Sequence, residues 1–339
     1  MSEPRRSTTQ SIVVLGAGSW GTALAVQLAR TGQRTVLWGR TEDRPDLLAE
    51  QRRNEHYLPG VDFPAPLEIE PDLASAVGAH RDILICVASH AFRSVLEDVN
   101  AVLSENSRIA WATKGFEQKT GKLPHEVALE VLGDGRPLAV LSGPTFAREV
   151  GAGLPTAMTV AATDTEFAND LAERISNETF RAYTTDDLIG VEVGGAVKNV
   201  LAIAAGMSDG LGYGANTRIA LITRGLVEMI RLGEALGANR QTFFGLSGMG
   251  DLVLTCTDDQ SRNRRMGLGL ANGKTAEDIA AEIGQVVEGV YAAQAVHDVA
   301  VREQCEMPIC EQVYRILYAG VSPAEAGKAL MSRSLKAEN

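Results

Sequence analysis

Residues 11–32 read SIVVLGAGSWGTALAVQLARTG: an apolar run, a glycine-rich turn and an alanine-rich segment in immediate succession. Ile12, Val13, Val14 and Leu15 do not alternate with polar residues, which is the pattern of a strand buried on both faces of a parallel sheet. From Thr22 onward Ala, Leu and Val recur at helical spacing, and Gly32 suits the stop position of a helix. Between strand and helix, Gly16, Gly18 and Gly21 have the spacing G-x-G-x-x-G. The first glycine permits a tight turn, the second lets a pyrophosphate approach the backbone, and the third lets helix and strand pack closely. The free N–H groups and positive end of the helix then face an anion. Because the motif follows a strand and opens a helix, it reads as a dinucleotide site. Ser19 and Trp20 fill its variable positions; Trp20 either lines the ligand or packs beneath the turn.

Outward from this stretch, strand-like segments alternate with helical ones. RTVLWGR (34–40), DILICVAS (82–89), RIAWATKG (108–115), PLAVLSG (137–143), PTAMTVAA (155–162) and FRAYTTD (180–186) are the further strands. Segments such as 91–104 and 164–176 between them carry helical spacing. Alternation of this kind predicts an α/β fold with a Rossmann-like, doubly wound parallel sheet over residues 11–188. Ligands of such sheets lie at the carboxyl ends of the strands. That rule directs attention to Gly39-Arg40, Ser89-His90, Lys114-Gly115 and Ser142-Gly143-Pro144-Thr145. Residues 189–335 are nearly all helix-like and split by glycine-rich joints, predicting an all-helical C-terminal domain. The active cleft is expected between the two. Residues 1–10, MSEPRRSTTQ, are expected to be a disordered tail and not a signal peptide, since no apolar segment follows the arginines.

The 339 residues are long enough for two domains, and 45% hydrophobic with 22% charged residues is ordinary for a globular protein. A net charge of −11 argues against nucleic-acid binding, which needs a basic surface. Any anionic ligand must be held by a few local cations. Cys305 and Cys310 fit no common zinc spacing, and Cys86 lies in an apolar run, so the cysteines read as reduced thiols in a cytoplasmic protein. No uninterrupted apolar stretch reaches membrane-spanning length, because Lys198 interrupts GGAVKNVLAIAAGM.

Three further places carry chemistry. An acidic residue some 20 positions beyond the glycines usually holds the ribose of NAD, yet Arg40 stands there. A cation suits the 2′-phosphate of NADP; the alternative is a surface arginine, and Asp43 is a weaker ribose candidate. Lys198 sits in EVGGAVKNVLA on what should be a buried helix, over the turn holding Gly194 and Gly195, which leave room for a ligand. A desolvated lysine near other cations loses its proton readily and serves as a general base. In GLSGMGDLVLTCTDDQSRNRRMG (245–267), Asp251 follows two glycines and Ser261 caps a helix whose Arg262, Arg264 and Arg265 concentrate positive charge, although all three cannot face one ligand and at least one is expected to be a solvated surface group. Lys114, at a strand end, adds a cation on the sheet side.

Together, GAGSWGTALA, ATKGFE, LSGPTFAREV, GGAVKNVLAIAAGMSDGLG, GLSGMGDLVLTCTDDQSRNRRMG and GQVVEGV resemble the bacterial-type NAD(P)-dependent glycerol-3-phosphate dehydrogenases, from about residue 11 to 330. The resemblance implies that Lys198 accepts the C2 hydroxyl proton of glycerol 3-phosphate. It matches Lys114, Gly143, Thr145, Lys198, Asp251, Ser261, Arg262 and Asn263 to substrate positions. It matches Ser19, Trp20, Arg40, Lys114, Ala147, Arg262, Val286 and Glu288 to cofactor positions, beside the three glycines. It implies NADP or NAD as cofactor, dihydroxyacetone phosphate as the other substrate, no metal, a homodimer and a role in phospholipid supply. Thr41 follows Arg40 where some members carry a second arginine. A β-hydroxyacid dehydrogenase, which also uses a helical lysine, is the rival enzyme; the Ser261-Arg262-Asn263 pocket argues against it. A nucleotide-binding sensor without turnover is the rival of another class, and retention of Lys198, Asp251 and Arg262 argues against that.

Overall fold

The computed structural model describes residues 11–334; the expected tail at 1–10 lies outside the described residues. The apolar run Ile12–Leu15 forms strand β1, buried throughout, and Ser19–Arg30 forms helix α1, ended by Gly32 at a left-handed φ of +89°. Nine further strands follow in two groups. Thr35–Trp38 (β2), Leu67–Ile69 (β5), Asp82–Ile85 (β6), Arg108–Trp111 (β7), Leu138–Ser142 (β8), Thr156–Ala162 (β9) and Phe180–Thr185 (β10) join β1 in one sheet. Arg53–Asn54 (β3) and Leu58–Asp62 (β4) pair by themselves as an antiparallel ribbon.

The large sheet has the order β10-β9-β8-β7-β6-β1-β2-β5. Strands from β8 to β5 across it run parallel, and in register Leu15, Trp38, Ile85 and Trp111 form one row at their carboxyl ends. One expectation is corrected here: the sheet is mixed, because β9 pairs antiparallel with β8 and β10 runs parallel to β9. The residues between β8 and β9 are not used as a crossover: their one short helix, Ala147–Ala152, is held along α1, where Arg30 donates to the Val150 and Gly151 carbonyls. β5 and the β3–β4 ribbon were not anticipated; each is short and contains a charged residue or proline.

By their contacts the described residues form two compact units. One comprises residues 11–113 and 124–188, the other residues 114–123 and 189–334. Each has its own core: Val14, Leu24, Leu37, Leu84 and Leu141 in the first, and Val197, Ile203, Met229, Phe243 and Val296 in the second. The segment 114–123 was expected with the sheet. It goes with the helical unit because Phe116 and Leu123 are buried in the helical core.

Four helices of the second unit carry most of its candidate functional side chains: Leu188–Gly210, Asp251–Thr257, Arg262–Ala271 and Glu288–Arg302, here α2, α3, α4 and α5. α2 has a mean hydropathy of 1.6, so by length and composition it does qualify as a membrane span despite Lys198. It is instead a core helix, with 94% of that window buried.

Candidate active site

The phosphate turn is built as its glycines suggest, and each has a separate reason. Gly16 has φ +117°, and a Cβ there would meet the Cys86 carbonyl oxygen at 2.6 Å. A Cβ on Gly21 would lie 1.9 Å from the Gly16 carbonyl oxygen, so strand and helix close on each other there. Gly18 differs. Its φ of −71° and ψ of −179° are open to any residue, and nothing lies within 4 Å of where its Cβ would be. The fold therefore does not require glycine at 18, and the open space beside it admits a ligand close to the backbone. No side chain caps α1 and no acidic residue stands in its first turn, so its leading N–H groups and dipole are left for an anion. Trp20 packs half-buried on the core while its buried indole N–H has no partner among the described residues. The site fits a dinucleotide pyrophosphate.

Beside the turn, Gly16 N donates to the Trp38 carbonyl, which sets the end of β2 against it. Arg40 follows with 66% of its side chain exposed, 3.8 Å from the Asp43 carboxylate and 4.0 Å from Glu42. Asp43 is largely buried and accepts from the Arg40 backbone N–H at 2.8 Å, so its carboxylate shapes this turn. In the same unit, Gly143 at the end of β8 has φ +153°, and Met158 leaves no room for a side chain. The Thr145 hydroxyl donates to the Gly143 carbonyl at 3.1 Å, and Ala147 opens the short helix that lies on α1.

The helical unit gathers side chains instead. Asp251, only 1% exposed, lies between two ammonium groups: Lys198 Nζ donates to Oδ1 at 2.6 Å and Lys114 Nζ to Oδ2 at 2.7 Å. Lys198 also donates to the Thr255 hydroxyl at 3.0 Å. Thr255 was missed in the sequence, although it stands one helical turn beyond Asp251 on α3. Burial works to raise the Asp251 pKa, but Lys114 and Lys198 outweigh it and hold the carboxyl below its ordinary value. Burial pushes the Lys198 ammonium down to about 8; Lys114 adds to that effect, while Asp251 and Glu288 oppose it.

Gly194 has a different use from the one expected. A Cβ there would strike the Ser247 carbonyl oxygen at 2.4 Å, so its bareness admits the π turn Leu246–Gly250, which delivers Asp251 to α2. The arginine cluster divides, as not all three were expected to face one ligand. Arg264 is buried and spent on Asp209 and Asp259, and Arg265 is exposed. Arg262 remains at the head of α4, donating to the Val286 carbonyl at 2.9 Å and to Gln285 at 3.3 Å. Ser261 caps α4 by accepting from the Arg264 N–H at 3.2 Å. Asn263 donates to the Asn199 side chain at 2.8 Å and accepts from Gly289 N at 2.9 Å. That clip ties the helix of Lys198 to the heads of α4 and α5. Asn199 also went unnoticed in the sequence; its one signal was adjacency to Lys198.

Thus Lys114, Lys198, Asp251, Ser261, Arg262, Asn263, Val286 and Glu288 all belong to one unit. Gly16, Gly18, Ser19, Trp20, Gly21, Arg40, Gly143, Thr145 and Ala147 belong to the other.

A buried lysine on a buried aspartate and a turn that fits a dinucleotide pyrophosphate are parts that suit a dehydrogenase. Comparison with known proteins narrows this. Residues 11–168 match the N-terminal model of the NAD-dependent glycerol-3-phosphate dehydrogenases and residues 187–328 match the C-terminal one. The chain belongs to this family. It is 56% identical over 328 residues to the glycerol-3-phosphate dehydrogenase [NAD(P)+] of Shewanella frigidimarina, covering 96% of this chain and 97% of that one. With the Glaesserella parasuis enzyme of the same name it shares 53% identity, again over 96% of this chain and 98% of the relative. A crystal structure of glycerol-3-phosphate dehydrogenase from Coxiella burnetii superposes with a TM-score of 0.93 at 47% identity, covering 96% of this chain and 99% of that one.

Proposed function

We propose that, as an NAD(P)-dependent glycerol-3-phosphate dehydrogenase, this chain interconverts sn-glycerol 3-phosphate and dihydroxyacetone phosphate with Lys198 as the group that exchanges the C2 hydroxyl proton. The carrying observation is the buried Lys198–Asp251 pair with the partly buried Lys114 on the same carboxylate. When bound, the nicotinamide accepts or supplies the hydride. In the oxidising direction Lys198 Nζ takes the hydroxyl proton as the C2–O double bond forms. In the reducing direction the Lys198 ammonium polarises the ketone and gives its proton to the oxygen. Asp251 holds Nζ in place, and two ammoniums on one carboxylate leave a net positive charge for the developing alkoxide. Arg262 and the N–H groups at the head of α4 are assigned to the substrate phosphate, and the turn at 16–21 to the cofactor pyrophosphate. The reduced product is the glycerol phosphate backbone of phospholipids, and we assign that supply role to the enzyme. Four cysteines without a disulfide favour a reducing, cytoplasmic setting.

The test is oxidation of NADPH or NADH with dihydroxyacetone phosphate. Lys198→Ala should lower turnover by about 10²–10⁴-fold, the range of general acid–base contributions, with dinucleotide affinity unchanged. In the wild type, kcat/KM for oxidation should rise with pH through about 8, where Lys198 loses its proton, and for reduction should fall over the same window. Near-normal turnover of Lys198→Ala would remove this lysine from the mechanism.

A further inference from the structure

The segment 114–123 leaves the sheet unit and returns to it, yet its contacts are with the helices. Lys114 stands at its start. Phe116 and Leu123, near its two ends, are both 2% exposed within the core that also holds Val193 and Val197 of α2 and Val299 of α5. Between them the chain closes on itself: Glu117 N donates to the Lys122 carbonyl and Gly121 N to the Glu117 carbonyl, each at 2.8 Å. The Thr120 hydroxyl donates to the Glu117 carboxylate at 2.6 Å. The tip rests on α5, where Arg302 donates to the Thr120 carbonyl at 3.4 Å. Gly121 has φ +67°, and a Cβ there would come within 2.9 Å of Val299. A surface loop with no task would not carry two buried anchors, an internal brace and a fitted glycine.

We propose that this arm is a positioning device for Lys114, in which Phe116 and Gly121 act as positioning residues that set the charge around Lys198. The inference rests on the assignment of Lys198 as the proton-exchanging group. Lys114 reaches Asp251 Oδ2 only while the arm is seated, and its ammonium then opposes the proton on Lys198. Among the described residues the charged and titratable groups acting on Lys198 are Asp251 and Cys256 on α3, Glu288 on α5 and Lys114 on the arm, with the Thr255 hydroxyl alongside, and of these Lys114 is the cation. Unseating the arm removes it and leaves Asp251 to Lys198 alone, so the Lys198 proton is held more tightly.

The experiment compares pH profiles of glycerol 3-phosphate oxidation by the full-length wild type, Phe116→Leu, Gly121→Ala and Gly121→Ala/Val299→Ala. The single variants should move the rising limb to higher pH by about one pH unit, so that kcat/KM below the limb falls about tenfold. The double variant, which removes the atom that a Cβ at 121 would strike, should move the limb part of the way back. Melting temperatures are measured alongside. Variants that melt earlier but keep the wild-type limb would overturn the proposal, because the arm would then be packing alone. A wild type without glycerol 3-phosphate activity, or an active Lys198→Ala, would instead count against the underlying assignment of Lys198.

Discussion

The two units meet negative charge in opposite ways. In the sheet unit the proposed anion site is backbone: three glycines, the uncapped head of α1 and no charged group in its first turn. In the helical unit the proposed site is side chain: Lys198 and Asp251 buried together with the partly buried Lys114 against them, and Arg262 close to the capped head of α4. Backbone N–H groups carry fixed dipoles that cannot change protonation, which suits a ligand that must be held throughout turnover. Buried ionisable groups shift in pKa and can exchange protons, which suits the reacting centre. Holding and reacting are thus assigned to different materials.

Breaking the side-chain site should have the larger effect. Arg262→Ala removes a partly buried guanidinium assigned to the phosphate, and losing a charge-assisted, two-bond contact to phosphate costs about 2–3 kcal/mol. KM for dihydroxyacetone phosphate should therefore rise by at least tens of fold, while KM for unphosphorylated dihydroxyacetone changes little. Equal rises for both substrates would show that Arg262 does not hold the phosphate. The backbone site is tested by two neighbouring glycines. Gly18→Ala puts a methyl into open space at an ordinary φ, so the melting temperature should stay at the wild-type value. Dinucleotide affinity should fall by about 1–3 kcal/mol, as N–H groups lose their partner. Gly21→Ala drives a methyl into the Gly16 carbonyl and should lower stability by about 1–3 kcal/mol before any ligand is added. If Gly18→Ala melted early with affinity intact, the turn would be a packing feature and nothing more.

The same contrast explains what could be read from the sequence. The phosphate turn is one contiguous stretch, so spacing alone reveals strand, glycines and helix. The lysine–aspartate arrangement joins positions 53 and 137 apart, and no local pattern shows that Asp251 faces Lys198 or Lys114. Only the family resemblance brought those residues together. Arg264 looked like an anion ligand because Asp209, which neutralises it, lies 55 positions earlier. Strand identity was legible at β9 from composition, whereas its direction depended on where the connecting helix Ala147–Ala152 packs, which no local pattern shows. Gly194 was noticed for the right reason, its missing side chain, but that space is filled by the Ser247 backbone.

The smallest effect is expected where the two strategies overlap, at Arg40. This is a charged side chain at the rim of the backbone site, mostly exposed and already flanked by Glu42 and Asp43. Solvent and these acids both weaken its hold on a 2′-phosphate. A guanidinium can still pair with phosphate in two hydrogen bonds, and Arg40→Asp replaces that attraction with a repulsion that bears on NADPH alone. The efficiency kcat/KM with NADPH should fall about tenfold, equivalent to ~1.4 kcal/mol, with NADH nearly unchanged. Asp43 offers an internal control. Its carboxylate accepts the Arg40 backbone N–H, so Asp43→Asn keeps an oxygen for that bond while removing the charge. If Arg40 reads the phosphate, this change should raise NADPH efficiency slightly and leave NADH alone. Parallel losses with both cofactors in Arg40→Asp would mean that residue 40 supports the turn and that the cofactor ribose is read elsewhere.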